Sequence, residues 1–320
     1  MRVQSWIAPC RRPALRCGSG TRSALDAAFG RSISRKVLFL ACVLAFTGVV
    51  AVAQRWRGGW TESYVPPHAR TAREVESHST GTPNWTNTAG FERDTFTFAR
   101  LKRQHNHRFG RGDWSTDTPD SDLNLSHRLQ QMTSLVVDPD GRYLEITDPD
   151  LFQYPWIYMV EVGSLVFREE ELPVLRRYLL NGGFLMADDF WGENEWTNFE
   201  EEMKRVFPEE RYAFSELELT HPLYRMVFPI TEKGQVPNVG LGRMSEFDTD
   251  HVTWERWDAK EVHHRAMLDD KGRMMVIATH NTDNGDGWER EGENHYYFKN
   301  FSEKYSFPLG INIIVYAMTH

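Results

Sequence analysis

Between positions 156 and 187 two short apolar runs, WIYMV and FLMA, flank a polar stretch with helical periodicity that ends in Gly182-Gly183. Five consecutive apolar residues without alternation describe a strand buried on both faces. A strand, a helix and a second strand in one direct sequence require a crossover connection, so the two strands must lie parallel. This unit constrains the fold more than any other feature. The intervening stretch, REEELPVLRRYLLNGG (168–183), carries acids in its first turn and Arg176 and Arg177 later, as the helix dipole favours. Leu172, Leu175, Leu179 and Leu180 supply its buried face, and the glycine pair supplies a left-handed C-cap.

The pattern repeats along the chain. TFTFARL (95–101) alternates as a strand, and Leu125, Leu129 and Met132 follow at helical spacing, with Asp120 or Ser121 as N-cap candidates. SLVV and YLEI are separated by the turn Asp138-Pro139-Asp140-Gly141. EWTNFEEEMKRVF (195–207) is an amphipathic helix stopped by Pro208, RMMVIATH (273–280) is a central strand, and LGINIIVYAMTH (309–320) is a buried terminal helix. Strands and helices in this order predict an α/β fold with a mostly parallel sheet covered on both faces.

The N-terminal part differs in kind. Residues 1–36 form a basic leader, and residues 37–53, VLFLACVLAFTGVVAVA, carry no charge. A basic flank before such a run predicts a secretory signal core or a short membrane anchor, and Ala51-Val52-Ala53 has the spacing a signal peptidase accepts. Either form places the rest of the chain outside the cytoplasm, in the periplasm or tethered to the inner membrane. Residues 54–90, rich in Gly, Pro, Ser, Thr and Arg, read as a flexible linker, and residues 91–320 as the domain.

Cysteine and charge narrow the function. Cys10, Cys17 and Cys42 all precede position 54, so the domain has no thiolate ligand, disulfide or cysteine nucleophile. Subtracting the eight Lys or Arg and the one acid of residues 1–53 from totals of 37 and 45 leaves 29 basic and 44 acidic residues, a net charge of −15. So acidic a domain repels phosphate backbones, which argues against nucleic acid as a partner. Cations, sugars or a protein partner of the cell envelope suit it better. No cofactor motif is identified, and a divalent cation is the one cofactor the acidic loops would suit.

In parallel sheets ligands bind at the carboxyl ends of the strands. Asp188 and Asp189 stand at such an end. Either they cap a helix and tie a loop, or one of them binds a cation or polarises water, with Asp188 the favoured member. HNTDNGDGWERE (280–291) begins at another strand end; Asn281, Asp283 and Asp286 could wrap a hard cation or form a tight polar turn. The spacing is not that of an EF-hand. His280 is the best candidate base, against a structural role. In WSTDTPDSD (114–122) one acid is expected as a helix cap, and Asp117 is the one capping leaves over. His105, His107, His263 and His264 lack zinc spacing, and no G-x-S-x-G occurs. Trp114, Trp191 and Trp288 adjoin these loops, where they would either stack on a sugar ring or pack into the core.

The segments FTFARL, TPDSDLNLSHRLQQMT, TDPDLFQYPWIYMVEVGSL, LRRYLLNGGFLMADDFWGENEWTNFEEEMKRVFP, TWERWDA, HNTDNGDGWEREGE and FSEKYSFPLGINIIVYAMTH resemble the bacterial family catalogued as domain of unknown function 4159. The resemblance runs from about Asp94 to His320. It implies a flavodoxin-like α/β sandwich of the class I glutamine amidotransferase-like type, in proteins that are exported or membrane-tethered. It implies a fold and no reaction. Amidotransferases of this fold use a Cys-His-Glu triad at a nucleophile elbow, which a domain without cysteine cannot supply. Three functions stay open: a noncatalytic ligand-binding or assembly module, a metal-assisted hydrolase using Asp188, Asp189, His280 and Asp283, and a carbohydrate-binding module.

Overall fold

A computed structural model describes residues 64–90, 94–103 and 114–320. The leader, the apolar run at 37–53, His105 and His107 lie outside the described residues. Among the described residues no helix is long and apolar enough to cross a membrane.

The main sheet has seven strands, in the spatial order β4 (Arg142–Leu144), β2 (Ala99–Leu101), β5 (Trp156–Val160), β6 (Phe184–Asp188), β9 (Met274–His280), β8 (His263–Leu268) and β7 (Ser215–Glu216). The first five are parallel, β8 pairs antiparallel with β9, and β7 pairs antiparallel with β8. Counted along the chain, the parallel strands stand in the order 2-1-3-4-5. The sheet therefore reverses direction between β2 and β5, and the loops after those two strands part there.

WIYMV becomes β5, and its alternate residues serve two cores. Ile157 and Met159 pack with Leu185 and Ala187 of β6, Leu175 and Leu179 of α2 (Glu171–Leu180), and Phe199 and Met203 of α3 (Gly192–Val206). Trp156, Tyr158 and Val160 point the other way, against Leu125 and Leu129 of α1 (Asp120–Met132) and the C-terminal helix. That helix, α7 (Phe307–Thr319), continues a π-helical stretch, Phe298–Ser306, that follows α6 (His295–Tyr297). Both faces are thus covered, which is why the central strands tolerate no charge until their carboxyl ends. Gly182 takes φ +105 after α2, the left-handed cap its sequence predicts.

Two expectations change. TFTFARL is not one strand: Thr95–Phe96 (β1) pairs with Val136–Val137 (β3) in a separate ribbon, and Ala99–Leu101 alone enters the sheet. Phe98, Ala99, Arg100 and Leu101 are all buried, so alternation stops where the chain passes between two layers. The second change concerns residues 64–90, read as part of a flexible linker. Ala69, Ala72 and Val75 are buried against Leu123 and Tyr143. Tyr143 N donates to Arg70 O at 2.7 Å, so this segment covers the open edge of β4. Arg73 Nη2 donates to Pro139 O (2.6 Å), and Trp85 Nε1 to Val137 O (3.1 Å). These ties run from side chains to distant backbone and leave no periodicity to read.

Candidate functional site

The parallel strands end in register. Val160 lies opposite Asp188, and Ala187 opposite Ala278, so β5, β6 and β9 deliver Glu161, Asp189 and Asn281 to one edge of the sheet. All three residues have positive φ, at 51°, 52° and 62°. Asp117, in the segment that follows β2, has φ 65°. Left-handed backbone at non-glycine residues is costly, on the order of 1–3 kcal/mol each, and gathers at functional sites. Here it gathers at the carboxyl ends of four parallel strands.

Asp188 and Asp189 divide into different roles. Asp188 is fully buried and accepts five hydrogen bonds: from Tyr158 Oη (3.1 Å), Thr279 Oγ1 (2.5 Å), Asn284 N (3.0 Å), Asn284 Nδ2 (2.8 Å) and Gly285 N (3.2 Å). It joins β6 to β9 and to the start of α5 (Asn284–Glu289), with no lone pair left over for a ligand. The expectation that Asp188 faces the cleft is therefore corrected. Asp189 is the half-buried member, tied on one side by Trp191 Nε1 at 2.8 Å.

The loop after β9 folds as a cap and one short helix. Asp283 Oδ1 accepts from Asp286 N at 2.8 Å, so Asp283 is the N-cap of α5. Asp286 and Glu289 sit one turn apart on this helix and turn toward Asp117. One ligand atom from each of Asp117, Asp286 and Glu289 lies within 4.8 Å of the others, and all three residues are buried. Asp286 Oδ2 accepts from Val239 N, at the start of α4 (Val239–Met244), at 2.7 Å. Asp117 Oδ2 is buried and, among the described residues, has no hydrogen-bond donor. It reaches this place because residue 285 is glycine: a Cβ there would sit 2.1 Å from Asp117 Oδ2. Arg290 faces the group, with Nε 2.5 Å from Glu289 Oε2 and 3.8 Å from Asp286 Oδ1.

Several expected residues lie elsewhere. His280 is buried with Nε2 3.1 Å from Gly192 O and Nδ1 3.2 Å from Arg265 Nη1, beside the rings of Phe190 and Trp196. It does not join the carboxylates, because β9 points its side chain to the α3 face. His264 packs against Tyr224, whose Oη lies 2.9 Å from His264 Nδ1, and His263 faces Glu216. Asn281 is structural, its Oδ1 accepting from Gly192 N at 2.8 Å. Trp288 is fully buried and Trp191 is 4% exposed, so neither offers a face to a sugar. Trp114 is half-buried, its ring 5.2 Å from that of Tyr143. None of the acids 117, 120 and 122 caps α1 through its side chain; Pro119 holds the cap position. Asp122 instead binds Arg100 Nε through both oxygens at 3.1 Å.

Sequence reasoning overlooked Glu289, Glu161, Glu255 and His78. Glu289 was within reach, three residues after Asp286 in a helical register. Glu161 directly follows an apolar strand, the same signal that singled out Asp188. Glu255 and His78 arrive from distant loops and left none.

Residues 97–318 match the family described as Domain of unknown function (DUF4159). The chain belongs to this family. No curated protein matches it.

The electrostatics of the DUF4159 domain follow from burial. Burial pushes the carboxyls of Asp117, Asp189, Asp283 and Glu289 well above the usual carboxylate range. Neighbouring charge adds to this: Asp286 for Asp117, Glu161 and Glu255 for Asp189, Asp189 for Asp283, and Asp117 for Glu289. A carboxyl raised in the folded state contributes stability at low pH that is lost as pH rises through its folded pKa. The buried imidazoles of His264 and His280, lowered by burial from 6.5 to about 3, act with the opposite sign. Their contribution is complete above about pH 6.5 and is lost only as pH falls from there toward about 3. The melting temperature in a chelator should therefore fall as pH rises beyond the ordinary carboxylate range, most plainly above about pH 6.5, where these two imidazoles no longer oppose the fall. A melting temperature that rises or stays level over that window would mean that these acids already ionise without strain.

Proposed function

We propose that the DUF4159 domain is a noncatalytic ligand-binding module whose acidic site holds a divalent cation. The observation that carries the reading is the convergence of Asp117, Asp286 and Glu289, with Asp117 Oδ2 buried and lacking a donor among the described residues. Three buried carboxylates repel one another, and an oxygen-binding cation removes that repulsion while giving the orphaned oxygen a partner. Asp189 and Glu161 lie on the rim, where a ligand bound through the cation would meet them.

The scaffold supports binding over the chemistry usual for its type. The 2-1-3-4-5 strand order fits a flavodoxin-like, class I amidotransferase-like fold, and its switch point between β2 and β5 is where Asp117 and Glu161 enter. The strained strand-end positions are held by Glu161 and Asp189, where an elbow nucleophile would be needed. The domain has no cysteine to take that place. A hydrolase built on Asp188 and His280 finds no support, since both are committed to internal hydrogen bonds. A sugar platform finds none at Trp191 or Trp288. The basic flank and uncharged run at 37–53 support a place outside the cytoplasm, released or anchored, with a cell-envelope protein as partner.

The test is a melting curve of the full chain with magnesium, calcium, manganese or zinc, against a chelator. A cation at a hundredfold excess over its dissociation constant should stabilise by about 2.7 kcal/mol. That corresponds to a shift of roughly 5–11 °C for a domain of this size. Asp117→Asn should melt higher than the unsubstituted chain in chelator and lose the cation shift. If no cation moves any curve, the reading is wrong.

A further inference from the structure

Asp120, at the first position of α1, is fully buried and anchors a short segment that arrives from the N-terminal side of the domain. Ser77 Oγ donates to Asp120 Oδ1 at 2.5 Å, and His78 N donates to Asp120 Oδ2 at 3.2 Å. His78 Nδ1 lies 3.2 Å from the same Oδ2. The far side of the ring meets the acidic site, with Nε2 in contact with Glu289 Oε1. The segment is fastened beyond this point as well. Ser79 Oγ donates to Glu293 Oε1 (2.6 Å), Thr80 Oγ1 to Glu291 O (2.7 Å) and Gly81 N to Ser77 Oγ (3.1 Å). His78 is therefore held in position by its neighbours on both sides.

The chemistry of this contact is decided by Asp120. Asp120 Oδ2 already accepts from His78 N, and with Nδ1 3.2 Å away it is placed to accept from N–H at Nδ1 as well. In the neutral ring Nε2 then carries a lone pair, and that lone pair faces a carboxylate oxygen of Glu289. Two acceptors that face one another call for a positive charge they share, either a proton between them or a metal ion that both coordinate from one side. Carboxylate to imidazole to metal is the arrangement by which proteins fix the tautomer and direction of a ligating histidine. Glu289 already belongs to the three-carboxylate group, where Asp117 Oδ2 is buried without a donor among the described residues.

We infer that His78 Nε2 is the nitrogen ligand of the cation held by Asp117, Asp286 and Glu289, and that the site selects a transition-series ion such as manganese, cobalt or zinc. The inference rests on the cation reading above and names the class of ion. Calcium and magnesium prefer all-oxygen shells, whereas one imidazole beside carboxylates suits the later ions. Asp120 acts as a positioning residue: it orients the ring and does not touch the metal. The segment carrying Ser77 to Thr80 is then part of the site, and metal binding fastens it to α5.

The experiment uses the full chain, stripped by a chelator and loaded with manganese alone. Pulsed electron paramagnetic resonance should show coupling of the ion to an imidazole nitrogen, and loading with cobalt should give a visible absorption band. In titrations, manganese, cobalt and zinc should bind at least tenfold more tightly than calcium or magnesium. His78→Gln should remove the nitrogen coupling and weaken manganese and zinc binding by roughly 10–100-fold, with calcium binding little changed. Asp120→Asn should weaken binding by a similar factor yet keep the nitrogen coupling, which separates positioning from ligation. Manganese bound without nitrogen coupling, and equally well by His78→Gln, would overturn this inference and leave the cation reading standing. Failure of every ion to bind would overturn both, and the contact would be a shared proton only.

Discussion

Asp188→Ala should destabilise the domain by about 3–5 kcal/mol, because it leaves several buried donors without an acceptor. The carboxylate serves Tyr158 Oη, Thr279 Oγ1, both nitrogens of Asn284 and Gly285 N, and Asp188 is fully buried. An orphaned buried donor costs about 1–3 kcal/mol, and hydroxyl rotation lets two of these relax, so the losses will not add in full. Asp188→Asn should recover only part, since its amide turns two hydrogens toward groups that also donate. The adjacent Asp189→Asn should do the reverse in chelator and raise the melting temperature, because it removes a charge that Glu161 and Glu255 oppose. Denaturant unfolding of the three variants measures this. Equal, small effects at both positions would refute the division of roles between the two aspartates.

Trp288→Ala should cost a similar amount, about 3–5 kcal/mol, or a fall in melting temperature on the order of 10 °C. The ring is fully buried in the core between the sheet and α7, 5.7 Å from the ring of Tyr158. Gly310 of α7 approaches so closely that a Cβ there would lie 2.7 Å from Trp288 Cζ2. The indole also holds α5 against the sheet, so the substitution should loosen Asp286 and Glu289 and weaken any cation shift. A variant that melts like the unsubstituted chain would place the ring at a surface, where a sugar-stacking role would again be open.

These two residues mark where sequence reasoning stops. The tripeptide Ala187-Asp188-Asp189 marks a strand end, but whether a side chain there points inward depends on what its neighbours donate. Five donors come to Asp188 from β5, β9 and the start of α5, all distant in sequence from position 188 except through the fold. Trp288 sits among Asp, Gly, Glu and Arg, a surface composition, and is buried because Gly287 and Gly310 let two helices close over it.

The sequence by itself determined the parallel sheet, since apolar runs such as WIYMV and MMVIATH can be covered on both faces only by crossover helices. It determined the helix ending at Gly182, the terminal helix, and the absence of a cysteine nucleophile. It also placed polar chemistry at the strand ends, because β5, β6 and β9 carry no charge before their last residues. Only the tertiary structure decided which acids meet. Asp117, Asp286 and Glu289 converge through the sheet's reversal between β2 and β5, the missing side chain at Gly285 and the packing of α5 on α1. His78 reaches the same place through Asp120, from a segment without periodicity. Local pattern records burial and direction, whereas a site made from one loop, one short helix and an incoming strap depends on distances that no single stretch of sequence encodes.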